Sequence, residues 1–138
     1  MKPTYILDAC SMISVLAKED GWEKVSQLYR KAAGGEIILI MHRLNLLEVY
    51  YNILREYGKD AANDFMADVK QSPIAINHEI SDEIFLEAGR LKATYKISLA
   101  DSVVLAQSVV SDGSLVTSDH HEFDVIENKE NIKFAWMR

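Results

Sequence analysis

Asp8, Glu48, Asp101 and Asp119 are the side chains on which this chain could build chemistry. Asp8 ends a short apolar run, Thr4-Tyr5-Ile6-Leu7. Asp119 follows another, Leu115-Val116-Thr117-Ser118. Asp101 lies in the first turn of a segment that is apolar on nearly every side. Glu48 falls two turns into the helix expected after the run Glu36-Ile37-Ile38-Leu39-Ile40-Met41. Carboxylates gathered at one place repel each other, which raises some of their pKa values. A divalent cation relieves that repulsion, and oxygen-only ligands suit Mg²⁺ or Mn²⁺. Two such ions ~3.5–4 Å apart clamp the attacking and leaving oxygens of a phosphodiester displacement. A single ion would be held largely through water and the scissile phosphate.

Each acidic residue also has an ordinary structural use. Asp8 suits the N-cap of the helix that follows it. Ser98 and Asp101 have capping-box spacing. Asp119 suits an Asx-turn or the cap of a short helix. Glu48 could pair with Arg55 on its own helix. For the three aspartates taken one at a time, the structural use is the simpler account. What favours a site is their convergence, and that depends on the elements that carry them.

Periodicity predicts those elements. Strand Thr4–Leu7 leads into a short helix, Met12–Ala17. Asp20 is the expected N-cap of the next helix, with Glu23 completing a capping box. That helix spaces Trp22, Val25, Leu28, Tyr29 and Ala32 on one face, and Gly34-Gly35 ends it. The run 36–41 fits a central parallel strand. A long helix, Arg43–Tyr57, is expected to bury Leu44, Leu47, Tyr51 and Leu54, with Glu48, Asn45 and Asn52 beside that stripe. A helix over Lys59–Gln71 turns Ala61, Phe65 and Val69 inward. Ile74-Ala75-Ile76 is a third strand. Ser81 opens a helix carrying Ile84, Ala88, Leu91 and Tyr95, and the Asp101 helix follows at once. Its residues Val103, Val104, Leu105, Ala106, Val109 and Val110 belong in a core. Asp112-Gly113 is a turn before the strand Leu115–Thr117. A helical turn through His121–Ile126 leads to a last strand, Ile132–Ala135. Strands alternating with single or paired helices predict a parallel sheet covered on both faces. In such sheets a site lies outside the carboxyl ends of the strands. All four acidic residues fall at that edge.

Composition sets the outer limits. The 138 residues, 49% of them hydrophobic and 26% charged, fit a single domain, 1–138, with a real core. No apolar run approaches the roughly 20 residues of a membrane span. The start of the chain leaves little room for a signal peptide, and the single Cys10 suits a reducing cytoplasm. A net charge of −6 argues against an extended basic footprint for nucleic acid. An acidic cation site is compatible with it. If RNA binds, Arg30-Lys31 and Arg90-Lys92-Lys96 are the basic groups placed for phosphates.

Four segments, in order, resemble PIN-domain proteins of the small kind typified by VapC toxins. They are Ile6-Leu7-Asp8-Ala9-Cys10-Ser11, Asn45-Leu46-Leu47-Glu48-Val49-Tyr50-Tyr51, Ile97-Ser98-Leu99-Ala100-Asp101-Ser102 and Leu115-Val116-Thr117-Ser118-Asp119. The resemblance implies a three-layer α/β/α sandwich around a mainly parallel sheet of about five strands. It implies a metal-dependent ribonuclease using Mg²⁺ or Mn²⁺, with Asp8, Glu48, Asp101 and Asp119 as the acidic set. It also implies a toxin role in a type II toxin–antitoxin system, a small cognate antitoxin and a homodimer. The chain departs from the pattern at Cys10 and His42, where hydroxyl residues are usual, and in the histidine-rich His120-His121-Glu122-Phe123-Asp124.

The leading expectation is therefore an endoribonuclease in which Asp8 and Asp101 hold the main ion. Asp119 and Glu48 would complete the site, directly or through water. The alternative is a catalytically silent PIN-fold module whose acidic pocket receives a partner's basic residue. Zinc binding by Cys10, His120 and His121 lacks paired ligand spacing, and the two histidines read more simply as exposed turn residues. Asp124 is a possible fifth carboxylate at the rim. A receiver-type domain fits poorly, because Lys133 lies inside the last strand. A dehalogenase-like phosphatase needs a second aspartate where Cys10 stands.

Overall fold

The structure, a computed structural model, describes residues 1–138. Five strands form one parallel sheet: β1 (Thr4–Leu7), β2 (Ile38–His42), β3 (Ala75–Asn77), β4 (Ser114–Thr117) and β5 (Lys133–Trp136). Their order is β3-β2-β1-β4-β5. Seven helices connect them: α1 (Ala9–Ala17), α2 (Trp22–Ala33), α3 (Arg43–Tyr57), α4 (Lys59–Gln71), α5 (Asp82–Thr94), α6 (Leu99–Val110) and α7 (His120–Lys129). The chain moves outward from β1 through β2 to β3, then crosses back to β4 and on to β5. Right-handed crossovers therefore put α1–α4 on one face and α5–α7 on the other.

The core records this division residue by residue. Successive strand side chains point to opposite faces. Leu7, Leu39, Met41 and Val116 join Met12, Val25, Leu28, Leu46, Val49, Phe65 and Val69. Ile6 and Leu115 face the other way, onto Leu91, Val104, Leu105, Phe123 and Ile126. Helix α6 is enclosed from Ser102 to Ser108, but Val109, expected in the core, is exposed and Val110 only partly buried at the helix end. The expected three-layer architecture is the observed one.

Several local expectations are corrected. Helix α2 is capped by Gly21, not Asp20, and no side chain caps it. Gly21 has φ +90°, and its Cα lies so close to the Met137 backbone that a Cβ would collide with the Met137 carbonyl. Helix α1 starts at Ala9, directly after Asp8, and α7 runs from His120 to Lys129. Strands β2, β3 and β5 are displaced one or two residues toward the C-terminus, and α4 buries Ala62 where Ala61 was expected.

The largest correction concerns α3. Its buried face carries Asn45, Leu46 and Val49, with Ile53 packed against the same core. Leu47, Tyr51 and Leu54 are exposed. Helix α3 has two apolar stripes, and the sheet takes the one led by Leu46. Leu44 nevertheless packs against the cluster of Ile84, Ala88, Val103 and Ala106 on α5 and α6. That contact draws the start of α3 toward α6.

Leu46→Ala should therefore destabilise the protein by roughly 2–4 kcal/mol, the range for emptying a leucine site in a core. Leu47→Ala should change stability by less than about 0.5 kcal/mol, as at an exposed position. Urea unfolding of the two variants checks the assignment, and a reversed order would refute it.

Candidate active site

The chain direction reverses between β1, from which it winds toward β2, and β4, which it reaches on the return. Clefts at such switch points open at the carboxyl ends of the strands. Asp8 directly follows β1 and Asp119 lies two residues beyond β4. Helix α6 runs antiparallel to the strands, so its N-terminus, with Asp101, returns to the same edge. Helix α3 leaves β2 there and brings Glu48 in its second turn.

Asp8 is the most constrained of the four, at 4% exposure. It caps α1, accepting the Ser11 N–H at 2.7 Å, while the Ser11 hydroxyl donates to the Asp8 carbonyl at 2.9 Å. The Thr117 side chain lies near enough to the Asp8 carboxylate to lower its pKa, and the Thr117 oxygen accepts the Asp119 N–H at 3.1 Å. Thr117 thus stands between the two aspartates that flank the switch point. These neighbours favour the charged form of Asp8, but burial outweighs them. The Asp8 pKa is raised to about 6, with repulsion from Asp119 adding to the rise.

The Asp101 N–H donates to the hydroxyl oxygen of the Ser98 cap at 3.0 Å. The Asp101 pKa is raised to about 7, first by burial, then by repulsion from Asp8. A bond to the Ser98 side chain opposes the rise, and Glu48 and Asp119 reinforce it. Asp119 caps α7 by accepting the Glu122 N–H at 3.2 Å. Glu48 is half-buried, and desolvation raises its pKa. Arg55 does not neutralise it, being turned to Asn52 and Glu56 instead. The structure therefore brings all four predicted residues into one electrostatic neighbourhood. The capping roles of Asp8 and Asp119 are real and operate within that neighbourhood, whereas the Asp101 carboxylate makes no return bond to the Ser98 N–H.

No three His, Cys, Asp or Glu side chains stand close enough to hold an ion unaided. An ion here would need water or substrate phosphate to complete its shell, as Mg²⁺ does where it is bound through only one or two carboxylates. A further polar group belongs to this region. Asn45, one turn before Glu48 on α3, is 1% exposed, and neither end of its carboxamide has a protein partner. Buried amides are ordinarily satisfied by protein or ordered water, and the Asn45 amide is an exception among the protein's own groups.

The departures from the expected pattern have structural explanations. His42 is buried and caps α3. Its Nδ1 accepts the Leu44 N–H at 3.1 Å, and its Nε2–H donates to the Glu79 carbonyl at 2.9 Å. Burial lowers its pKa, consistent with this neutral tautomer. An imidazole thus does the work of a capping hydroxyl. Cys10 Sγ lies 3.0 Å from the Ser118 hydroxyl, tying α1 to the segment before Asp119, and burial pushes its thiol pKa up. Asp124 is bound to His120 Nδ1 at 2.7 Å and is not a free rim carboxylate. Arg90 is committed to Glu87 and Glu130, and Lys92 donates to the Ile97 carbonyl. Neither is a free phosphate contact.

The PIN domain family model matches residues 5–129. The chain belongs to the PIN-domain family. Among solved structures, VapBC-1 from nontypeable Haemophilus influenzae matches with a TM-score of 0.74 at 17% identity, over 97% of this chain and 98% of that one. VapBC2 from Rickettsia felis, bound to a DNA fragment from its promoter, gives 0.72 at 15%, over 96% and 98%. VapC20 from Mycobacterium tuberculosis, a sarcin–ricin loop cleaving toxin, gives 0.66 at 13%, over 88% and 94%. No curated protein matches the chain. At these identities the structural likeness speaks for the fold, and the family rests on the sequence model.

Thr117, Asn45 and His42 lie in or beside the segments that carry the resemblance, but what their side chains do was not legible. Threonine inside a strand reads as a β-former, and a buried orphan amide has no sequence signature. The raised carboxyl pKa values carry a measurable consequence for the metal-free PIN domain. An unfolded aspartate titrates near pH ~3.9, so between about pH 4 and 7 the folded state binds more protons than the unfolded one. Stability then falls as pH rises through that window. We expect a loss of roughly 1–1.5 kcal/mol between pH 5 and 8 in EDTA from Asp8 alone. Asp8→Asn should flatten the profile. A wild-type stability that rises over this range would contradict the assigned shifts.

Proposed function

We propose that this PIN-domain protein is a metal-dependent endoribonuclease, the toxin of a type II toxin–antitoxin pair. The observation that carries the proposal is the coupling of Asp8, Glu48, Asp101 and Asp119 at the switch point of the sheet. The raised pKa values of Asp8 and Asp101 mark a site whose charge is incompletely compensated by the protein. Such perturbed groups concentrate where function needs them.

In this proposal Asp8 and Asp101 hold a Mg²⁺ or Mn²⁺ ion, and Asp119 and Glu48 complete the site, directly or through water. The ion, when bound, neutralises the carboxylates and stabilises the charge that develops on the scissile phosphate. The caps of Asp8 and Asp119 hold their carboxylates in fixed orientation. Glu48, with no hydrogen bond to its carboxylate and a pKa raised by burial, is suited to orient the attacking water and take its proton.

The solved relatives named as VapBC pair a VapC-type toxin with VapB, and VapC20 is described as cleaving the sarcin–ricin loop. By this analogy the substrate is RNA, and a small antitoxin binds the protein. Two exposed apolar regions are available for that antitoxin and for a homodimer partner. One is a groove lined by Ile13, Leu16, Ala17, Ile53 and Tyr57 between α1 and α3. The other surrounds Ile80, Phe85 and Leu99 on α5 and α6. No helix is long and apolar enough to cross a membrane, and we place the toxin in the cytoplasm.

The decisive experiment is RNA cleavage by purified protein with Mg²⁺ or Mn²⁺. Cleavage should stop in EDTA and return with added metal. Asp101→Asn should lose at least about 100-fold in rate, more than the 10–100-fold typical of outer-shell positions. That same variant should melt higher than wild type without metal at pH 7.5, because it removes a repelled carboxylate. Cleavage that persists in EDTA or in Asp101→Asn would overturn the proposal.

A further inference from the structure

The end of β5 carries a column of rings that the acidic site does not use. Phe134 and Trp136 project from the same side of the strand and stack, with centroids 5.2 Å apart and planes within 10°. His120, the first residue of α7, stacks on Trp136 at 3.8 Å and 12°. Phe123 buttresses Phe134 from below at 5.9 Å. Each outer ring is pinned at its edge. Trp136 Nε1 donates to Glu127 at 3.0 Å. His120 Nδ1 donates to Asp124 and Nε2 to the Arg138 carbonyl, both at 2.7 Å.

These bonds decide what His120 can do. Both ring nitrogens are occupied by internal acceptors, so the ring is poorly placed to ligate a metal or to shuttle protons. One ring face rests on Trp136. The side chain is nonetheless 46% exposed. What remains available is the opposite face, held rigidly and roughly parallel to two rings beneath it.

Position supplies the occupant. His120 directly follows Asp119, and Trp136 pairs in register with Thr117 on the neighbouring strand. Thr117 accepts the Asp119 N–H and lies near the Asp8 carboxylate. Adjacent strands lie about 4.8 Å apart, so the column stands at the rim of the acidic site. Aromatic side chains that accept single-stranded nucleic acid present a fixed face to an unstacked base. An acidic surface at this edge offers little to a phosphate backbone without metal, which leaves the base as the group a ring can hold.

We propose that His120, backed by Trp136 and Phe134, is a stacking platform for a nucleobase of the RNA, within a nucleotide or two of the scissile phosphate. This rests on the ribonuclease reading above and adds a positioning role to it. His120 fixes where the strand lies and takes no part in bond cleavage. Because every base has a π face, the platform confers a position more than a sequence preference.

Two substitutions separate stacking from hydrogen bonding. His120→Gln keeps a donor and loses the ring; His120→Phe keeps the ring and loses both donors. The probe is a pool of single-stranded RNA 12-mers of random sequence, with Mg²⁺ or Mn²⁺. His120→Gln should raise the apparent KM roughly tenfold, within the range of one lost base stack, with little change in kcat. His120→Phe should stay near wild type. Equal KM values for all three proteins, or equal impairment of both variants, would overturn the platform. Photo-cross-linking provides the second arm. The same pool containing 4-thiouridine, irradiated with the Asp101→Asn protein, should cross-link to the peptides bearing His120 or Trp136. Cross-links confined to other peptides, or none at all, would refute the platform. Lack of cleavage by wild type would refute the ribonuclease reading separately, since the cross-link does not depend on it.

Discussion

Burying the Asp8 carboxylate is the constraint that the remainder of this fold accommodates. A carboxylate removed from water is destabilised unless hydrogen bonds or a counter-charge replace its hydration. Here the replacement is partial. The first turn of α1 supplies the Ser11 N–H, the Thr117 side chain lowers the pKa from the neighbouring strand, and the pKa is still raised to about 6. The two supports come from two elements that meet only because β4 lies beside β1. The crossover from β3 back across the sheet is therefore a requirement of the site. Without it Thr117 would not reach Asp8, and α6 would not bring Asp101 to the same edge.

Capping and the proposed ligation began as rival accounts of the aspartates, and the two are compatible: a capped carboxylate keeps its second oxygen. Asp8 and Asp119 are N-caps, and Asp101 sits in the first turn of its helix. A cap holds one carboxylate oxygen on a backbone N–H, which fixes the rotamer and the direction of the other oxygen. The helix N-terminus also carries partial positive charge, which lessens the cost of ionising the group. Three helix ends aimed at one edge thus offset part of the repulsion among the carboxylates that they hold. The offset is incomplete, as the raised pKa values of Asp8 and Asp101 show. Stability is surrendered at the place where the proposed function needs charge, a familiar exchange in enzymes.

The architecture was legible because its signals are strong and local. Helix α6 has almost no polar face, so it had to be central. The runs that became β1, β2 and β4 are short and apolar, and acidic residues mark their exits. The four acidic positions followed from that layout together with the family resemblance. Helix α3 shows where such reasoning ends. Leu44, Leu47, Tyr51 and Leu54 form as good a stripe as Leu46, Val49 and Ile53, and periodicity cannot choose between two valid faces. The sheet chose the second because Leu46 and Val49 fit beside Leu39 and Met41. The cap of α2 failed for a related reason. Asp20 has the better capping chemistry, but the close approach of Met137 demands a glycine at the helix start, and a long-range contact overrode a local preference.

The two histidines that break the usual pattern illustrate one principle in opposite settings. His42 is enclosed and neutral, and its ring bridges the start of α3 to the segment before α5. His120 is exposed, and its ring bridges α7 to the strand end at Arg138. In both, the nitrogens are consumed by the fold, which is why neither is suited to metal or proton chemistry, even His120 beside Asp119 and Asp124. What differs is the face. At His42 both faces are buried; at His120 one is free, and it is set on a rigid aromatic base. Proximity to an acidic cluster therefore says little about what a histidine does. The occupancy of its ring edge decides whether the nitrogens or the π surface is the working part.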